Sequence, residues 1–302
     1  MSRNTCPPEL EEVEMQPVNL HTVLAAVDFS EWTGPVLQAA AEMARRYGAR
    51  LSAVYAEMFL PPPYFTQRAI GPLAQVLEVQ KEAARDQLAH TVTEALGEGV
   101  SVDARLVEAP PVEGILRTAE REQAGLVVMG THGRSGLNRL LLGSVAERVV
   151  RQATVPVLTV RGPVGAGAGG PVRLARILCP YNYTPVAREA LRYAVDLAQR
   201  GGGELVLATS LEEGGSEEEA RRHRERLCAD VPAGVQSRCA LRPVVRRGPA
   251  AEEVLRLAAE EAPDLIVIGA QHRPLLETTV IGTTSVRVMR HAPCPVLTVS
   301  RR

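Results

Sequence analysis

The sequence predicts an α/β protein of two tandem doubly wound domains, each a five-stranded parallel sheet with helices on both faces. Three observations carry that prediction. First, the chain repeats itself: Pro156-Val157-Leu158-Thr159-Val160 recurs as Pro295-Val296-Leu297-Thr298-Val299. At the same offset Val127-Val128-Met129-Gly130 falls on Ile266-Val267-Ile268-Gly269, and Gly143-Ser144 falls on Gly282-Thr283. Second, short apolar runs alternate with amphipathic segments, the order of a parallel sheet with right-handed crossovers. Third, the apolar runs are rich in Val and Leu without strict alternation, as strands covered on both faces require.

Taken in order, the first copy places strands at residues 22–27, 51–55, 101–107, 126–129 and 155–160. The amphipathic stretches between them predict helices at 35–47, 73–96, 112–124 and 144–152. The second copy follows the same order, with strands near 176–179, 204–209, 239–245, 264–268 and 294–299, and is shorter in its middle. Residues 1–20 read as an acidic N-terminal tail carrying Glu9, Glu11, Glu12 and Glu14. The first domain is then 21–161, a Gly/Pro linker is 162–172, and the second domain is 173–302. The linker contains a literal G-x-G-x-x-G at Gly165, Gly167 and Gly170. It is followed by a strand and not a helix, so no helix N-terminus awaits a pyrophosphate, and it reads as a flexible tether.

Composition excludes several classes. The net charge of −1 and the dispersed basic residues give no nucleic-acid footprint, and three Phe with one Trp leave no base-stacking platform. The five cysteines, Cys6, Cys179, Cys228, Cys239 and Cys294, form no C-x-x-C and no zinc spacing. Four read as small buried side chains and Cys6 as part of the tail, in a reducing compartment. The N-terminal stretch lacks the apolar core of a signal peptide, and no apolar run spans a bilayer. The expectation is a soluble, cytoplasmic protein.

The chemistry concentrates where the strand Leu126-Val127-Val128-Met129 runs into G-T-H-G-R-S-G-L-N-R-L-L-L-G-S, from Gly130 to Ser144. Glycines let a backbone approach a ligand, and a helix start offers free N–H groups and a positive dipole end to phosphate. Together with the strand that ends in Asp28-Phe29-Ser30, this gapped motif resembles the universal stress protein family, as two tandem copies over nearly the whole chain. The resemblance implies the strand order 3-2-1-4-5. It also implies ATP bound at the switch point between strands one and four, with Mg2+ able to accompany the phosphates. Asp28 matches the residue that contacts the nucleoside, with Ala26 and Val27 beneath the base and Ala56 lining the adenine. Met129, Gly130, His132, Gly133 and Arg134 match the phosphate loop. Gly143, Ser144 and Val145 match the positions that hold the phosphates.

Each assignment has a plainer counterpart. Asp28 also suits an N-cap of the first helix. Ser144 N-caps the last helix with or without ligand. Arg139 reads as exposed, and Phe59-Leu60-Pro61-Pro62-Pro63-Tyr64-Phe65 as a lid, a partner surface or a packed loop. The second copy carries Asn182 for Asp28 and His272 for Gly133, with Pro274 close by. It is expected to keep the fold around a degenerate site and to serve mainly as the structural partner of the first. The fifth strands, each at a sheet edge, are expected to pair within the chain as a pseudo-dimer, leaving other faces free for a homodimer.

No G-x-x-x-x-G-K-[ST] occurs, which excludes a P-loop NTPase. No base or metal-ligand cluster for phosphoryl transfer stands out, so at most weak hydrolysis is expected. The function expected is an ATP-binding stress-response regulator. A nucleotide-independent scaffold and a slow ATPase are the alternatives.

Overall fold

The two halves build one sheet. The computed structural model describes residues 15–58, 70–131, 142–161, 174–211, 215–275 and 278–300. The first half runs β1 (Thr22–Val27), α1 (Thr33–Tyr47), β2 (Arg50–Ala56), α2 (Ile70–Leu96), β3 (Val102–Val107), α3 (Pro111–Arg121), β4 (Leu126–Gly130), α4 (Ser144–Gln152) and β5 (Val157–Val160). The second runs β6 (Arg176–Pro180), α5 (Pro185–Gly201), β7 (Glu204–Leu211), α6 (Glu217–Ala229), β8 (Ala240–Arg247), α7 (Ala250–Glu261) and β9 (Leu265–Ala270). After these come β10 (His272–Leu275), β11 (Thr278–Ile281), α8 (Thr283–His291) and β12 (Val296–Ser300).

The strands order as β3-β2-β1-β4-β5-β12-β9-β6-β7-β8, ten in one sheet, which is 3-2-1-4-5 in each half. Within this sheet all pairs inside a half are parallel, and the two halves meet through β5 and β12, which are antiparallel; β10 and β11 form a separate antiparallel pair. Leu158 faces Leu297, flanked by Val157 with Thr298 and Thr159 with Val296. Leu158 and Leu297 hold the same place in the repeated pentapeptide, so a local two-fold axis passes through this pair. The edge pairing expected of the fifth strands is therefore made within the chain.

Every residue of β1 is buried, yet its side chains serve two different layers. Val23, Ala25 and Val27 join the core under α1, α2, α5 and α6, whereas Leu24 and Ala26 join the core under α3, α4, α7 and α8. Burial on both faces explains the absence of polar alternation in the sequence. Each fully buried Leu in these layers contributes roughly 1.5–3 kcal/mol of transfer free energy.

Local signals set the helix ends. Thr184 N-caps α5 by accepting the Ala187 N–H at 3.3 Å, Pro185 occupies the first turn, and Gly202 closes the helix at φ 61°. Ser216 caps α6 in the same way, accepting the Glu219 N–H at 3.1 Å ahead of an acidic first turn.

Residues just before β1 are not a loose tail. Val18 and Leu20 are buried, the Val18 N–H donates to Asp196 at 3.4 Å, and Arg192 donates to the carbonyls of Gln16 and Pro17. This strap ties the first half to α5 of the second.

Cys179, Cys239 and Cys294 are free and buried, as expected. Cys228 departs from that reading: it is disulfide-bonded. No helix among the described residues is long and apolar enough to cross a membrane.

Candidate functional site

The crossovers leave β1 and β4 on opposite faces, so the carboxyl ends of these two neighbours open a crevice between them. Asp28 stands at the end of β1. Its Oδ1 accepts from the Ser30 N–H at 3.0 Å, the Ser30 hydroxyl at 2.6 Å and the Thr33 hydroxyl at 3.5 Å. Between them Phe29 adopts φ 59°, a left-handed conformation that costs a bulky residue about a kcal/mol or more. Asp28 therefore knots the β1–α1 turn. It does not cap the helix: Trp32 occupies the N-cap of α1 with no side-chain cap. Its second oxygen, Oδ2, has no partner among the described residues and is free to accept from a ligand.

At the end of β4, Met129 is buried and Gly130 partly exposed. Thr131 is buried, its N–H donating to the Val160 carbonyl at 3.1 Å and its own carbonyl accepting from the Gly143 N–H at 2.7 Å. That bond joins the end of β4 to the start of α4. His132, Gly133 and Arg134 lie outside the described residues, as do residues 59–69 and 162–173. Gly143, extended at φ −60° and ψ 145°, is the N-cap of α4, with no side-chain cap. Ser144 is thus the first helical residue and not the cap that the sequence suggested. The amides of Ser144, Val145 and Ala146 have no intrahelical acceptor and sit at the positive end of the helix. Ser144 is exposed, while Val145 is partly buried against the α3–α4 core.

The apolar residues divide. Ala26 and Met129 lie in the core on the α3–α4 side, the side of the uncapped helix. Val27 lies in the opposite core, so it backs the site from behind the sheet and does not line it beside Ala26. Ala56 is buried at the end of β2, where a Cβ added to Gly114 of α3 would stand 2.6 Å from its own Cβ. Helix and strand touch closely there because Gly114 has no side chain.

The second half repeats the arrangement with different groups. Asn182 Oδ1 accepts from the Thr184 N–H at 3.4 Å and hydroxyl at 2.7 Å, and Tyr183 takes φ 61°. The turn survives and the charge does not. Gly282 caps α8 and its N–H donates to the Gln271 carbonyl at 3.2 Å. Gly269, the counterpart of Gly130, is needed for packing: a Cβ there would lie 2.8 Å from the Val186 carbonyl oxygen. The stretch carrying His272 and Pro274 is a β-hairpin in which Pro274 pairs with Thr279.

These substitutions have not closed the cleft. A cavity of about 430 Å3 occupies it, walled by Tyr181, Asn182, Ser210, Arg246 and Glu253 and floored by the start of α8. Tyr181 donates to Asp230 at 2.5 Å, and burial together with that carboxylate pushes its phenol up to about 12. Burial also pushes Tyr183 up to about 12, where Arg226 stacks 3.9 Å above its ring. Ser210, Arg246 and Glu253 belong to no motif. Aligning α7 on α3 at the fixed offset of the repeat would have found Glu253, which stands where the first copy has Gly114.

Comparison with known proteins agrees with this geometry. The model of the universal stress protein family matches residues 19–161 and again 174–300. A universal stress protein of Mycolicibacterium smegmatis is 29% identical over 304 residues, spanning 95% of this chain and 100% of its own length. One from Methanocaldococcus jannaschii is 33% identical over 141 residues, 47% of this chain and 82% of that protein. The crystal structure of a universal stress protein from Archaeoglobus fulgidus superposes with a TM-score of 0.69 at 21% identity, covering 93% of this chain and 98% of the other.

Proposed function

Because this chain belongs to the universal stress protein family, we propose that its first half binds ATP and that occupancy, not turnover, is the signal it passes on in a stress response. One observation supports this reading above the others. The unpartnered Oδ2 of Asp28 and the uncapped amides of α4 flank the same crevice, on the adjacent parallel strands β1 and β4. Asp28 accepts from the ribose hydroxyls. Ala26 and Ala56 are small enough to leave room for the base, with Val27 backing them from the other face. The phosphates take the N–H groups of Ser144 and Val145 and the Ser144 hydroxyl, which Gly143 positions with its own N–H held by the Thr131 carbonyl, and the segment from Met129 and Gly130 through His132, Gly133 and Arg134 supplies the remaining phosphate contacts.

Mg2+ enters with the phosphates. Among the described residues no group of three or more His, Cys, Asp or Glu could hold a metal on its own. Asp28 Oδ1 is committed to its turn, and its free oxygen faces the sugar end, remote in role from a γ-phosphate. Among the described residues no base stands ready to activate water, so on this reading hydrolysis is slow and the bound state outlives the encounter with a partner.

Thermal unfolding with and without Mg-ATP tests the reading on wild type and on Gly133→His, which copies the second half's residue into the first. Ligand at 100 times its Kd adds about 2.7 kcal/mol to the stability of a folded form that alone binds it. A rise in wild type that the substitution abolishes supports the site. No rise at millimolar ATP refutes it.

A further inference from the structure

The second cleft differs from the first most at the end away from α8. In β2–β3 the paired residues Ala56 and Val107 are apolar, whereas the matching pair in β7–β8 is Ser210 and Arg246. The fourth residue of α3 is Gly114 and the fourth of α7 is Glu253. Glu253 is only 5% exposed, and it lines the cavity together with Arg246 and Ser210. Neither charge is fully used. Arg256 binds Glu253 Oε1 at 2.5 Å, leaving Oε2 without a partner among the described residues. Arg246 gives one terminal nitrogen to Glu260, while its Nε is buried with no acceptor. A carboxylate and a guanidinium that bound one cavity fit a ligand presenting a donor edge beside an acceptor edge.

We propose that the second cleft binds a guanine mononucleotide. The inference rests on the reading that the clefts of this fold hold nucleotides, and it assigns the second one a different base. Guanine presents N1–H and the exocyclic N2–H2 side by side, two donors for the Glu253 carboxylate. Its O6 and N7 accept from an arginine, the pairing that arginine makes with guanine elsewhere. Adenine would set its N1 lone pair against the same carboxylate. At the far end the amides of Thr283, Thr284 and Ser285 have no intrahelical acceptor and take one phosphate. The preceding segment is folded into the β10–β11 hairpin, so its paired backbone groups are not free to wrap a triphosphate. Asn182 turns an amide N–H2 to the sugar where Asp28 turns an oxygen, which suits a hydroxyl acting as acceptor.

Isothermal titration of the full chain with GMP, IMP and AMP tests the proposal. GMP is expected to bind tighter than AMP by about tenfold or more, with IMP, which lacks the 2-amino group, in between. Glu253→Gln should erase the preference for GMP. Saturating Mg-ATP should not displace GMP, since the two occupy different clefts. AMP binding as tightly as GMP, or no GMP binding at millimolar concentration, overturns the proposal, and so does full displacement by ATP. If Glu253→Gln does not fold, the GMP-to-IMP ratio on wild type decides by itself. Failure of ATP binding with GMP binding intact would count against the first-half site alone.

Discussion

Asp28→Asn separates the two duties of this side chain. The turn depends on Oδ1, which accepts three bonds at 3.0, 2.6 and 3.5 Å. An asparagine keeps that oxygen, and the second half demonstrates it: Asn182 holds the same turn, with Tyr183 at φ 61° against 59° for Phe29. Ligand-free stability should therefore change by less than about 0.5 kcal/mol, a shift in Tm within about 2 °C. What is lost is the charge and the free acceptor Oδ2. One hydrogen bond to a charged group is worth roughly 1.5–3 kcal/mol, which is about 10- to 150-fold in Kd. Calorimetric titration with Mg-ATP reads the affinity, and scanning calorimetry without ligand reads the fold. Asp28→Ala, which deletes Oδ1 as well, should lower both. An unchanged Kd in Asp28→Asn would refute nucleoside contact by Asp28. A fall of more than about 5 °C in ligand-free Tm would refute the claim that the turn needs only a neutral acceptor.

Three further perturbations address the frame. Gly269→Ala sets a methyl 2.8 Å from the Val186 carbonyl oxygen and should destabilise by about 1–3 kcal/mol in urea unfolding; an unchanged midpoint would mean that α5 yields freely. Leu297→Ala removes a side chain that is 1% exposed and faces Leu158, so a loss of about 2–5 kcal/mol is expected, still in a single transition. Two separated transitions would contradict a core shared by the halves. Tyr181 and Tyr183 titrate near 12 in the folded chain against an ordinary 10.0, so the folded form holds these protons more tightly than the unfolded one. Their contribution is complete below pH 10 and is lost as pH rises toward 12, and Tyr183→Phe should make that alkaline fall shallower. An identical slope in the variant would sink this assignment.

The central strands were legible because they are continuous apolar runs, whereas β3 and β8 carry Asp103, Arg105 and Arg242 and were placed by the repeat, from which the strand order also followed. The ends were less so. Ser144 reads as a cap by residue type, yet the extended backbone of Gly143 makes the glycine the cap and moves the serine one place into the helix. The β10–β11 hairpin was hidden by Pro274, which lacks an N–H but tolerates the outer position of a two-stranded ribbon. Asp28 was visible as a candidate but its turn was not, because an aspartate after a strand suits a cap, a turn or a ligand alike. Glu253 could not be seen in α7 alone, where it reads as one more exposed helical carboxylate; its burial arises from the strand packed against it. The loop residues His132, Gly133 and Arg134 lie outside the described residues, so their expected roles rest on the sequence.

The join between β5 and β12 has one further consequence. Arg151 and Arg290 occupy the same position of the repeat, and both bind Glu147, at 2.8 and 3.0 Å, while the repeat places Val286 where a second glutamate would stand. Two identical chains could not build this: every residue near the axis would occur in duplicate, and one carboxylate could not serve both arginines alone. Covalent tethering fixes the local concentration of each half for the other, so their union does not weaken on dilution. It also frees each half from copying the other's substitutions. A sheet with broken symmetry can hold two dissimilar clefts at a fixed separation, and a change at one need not be mirrored at its twin.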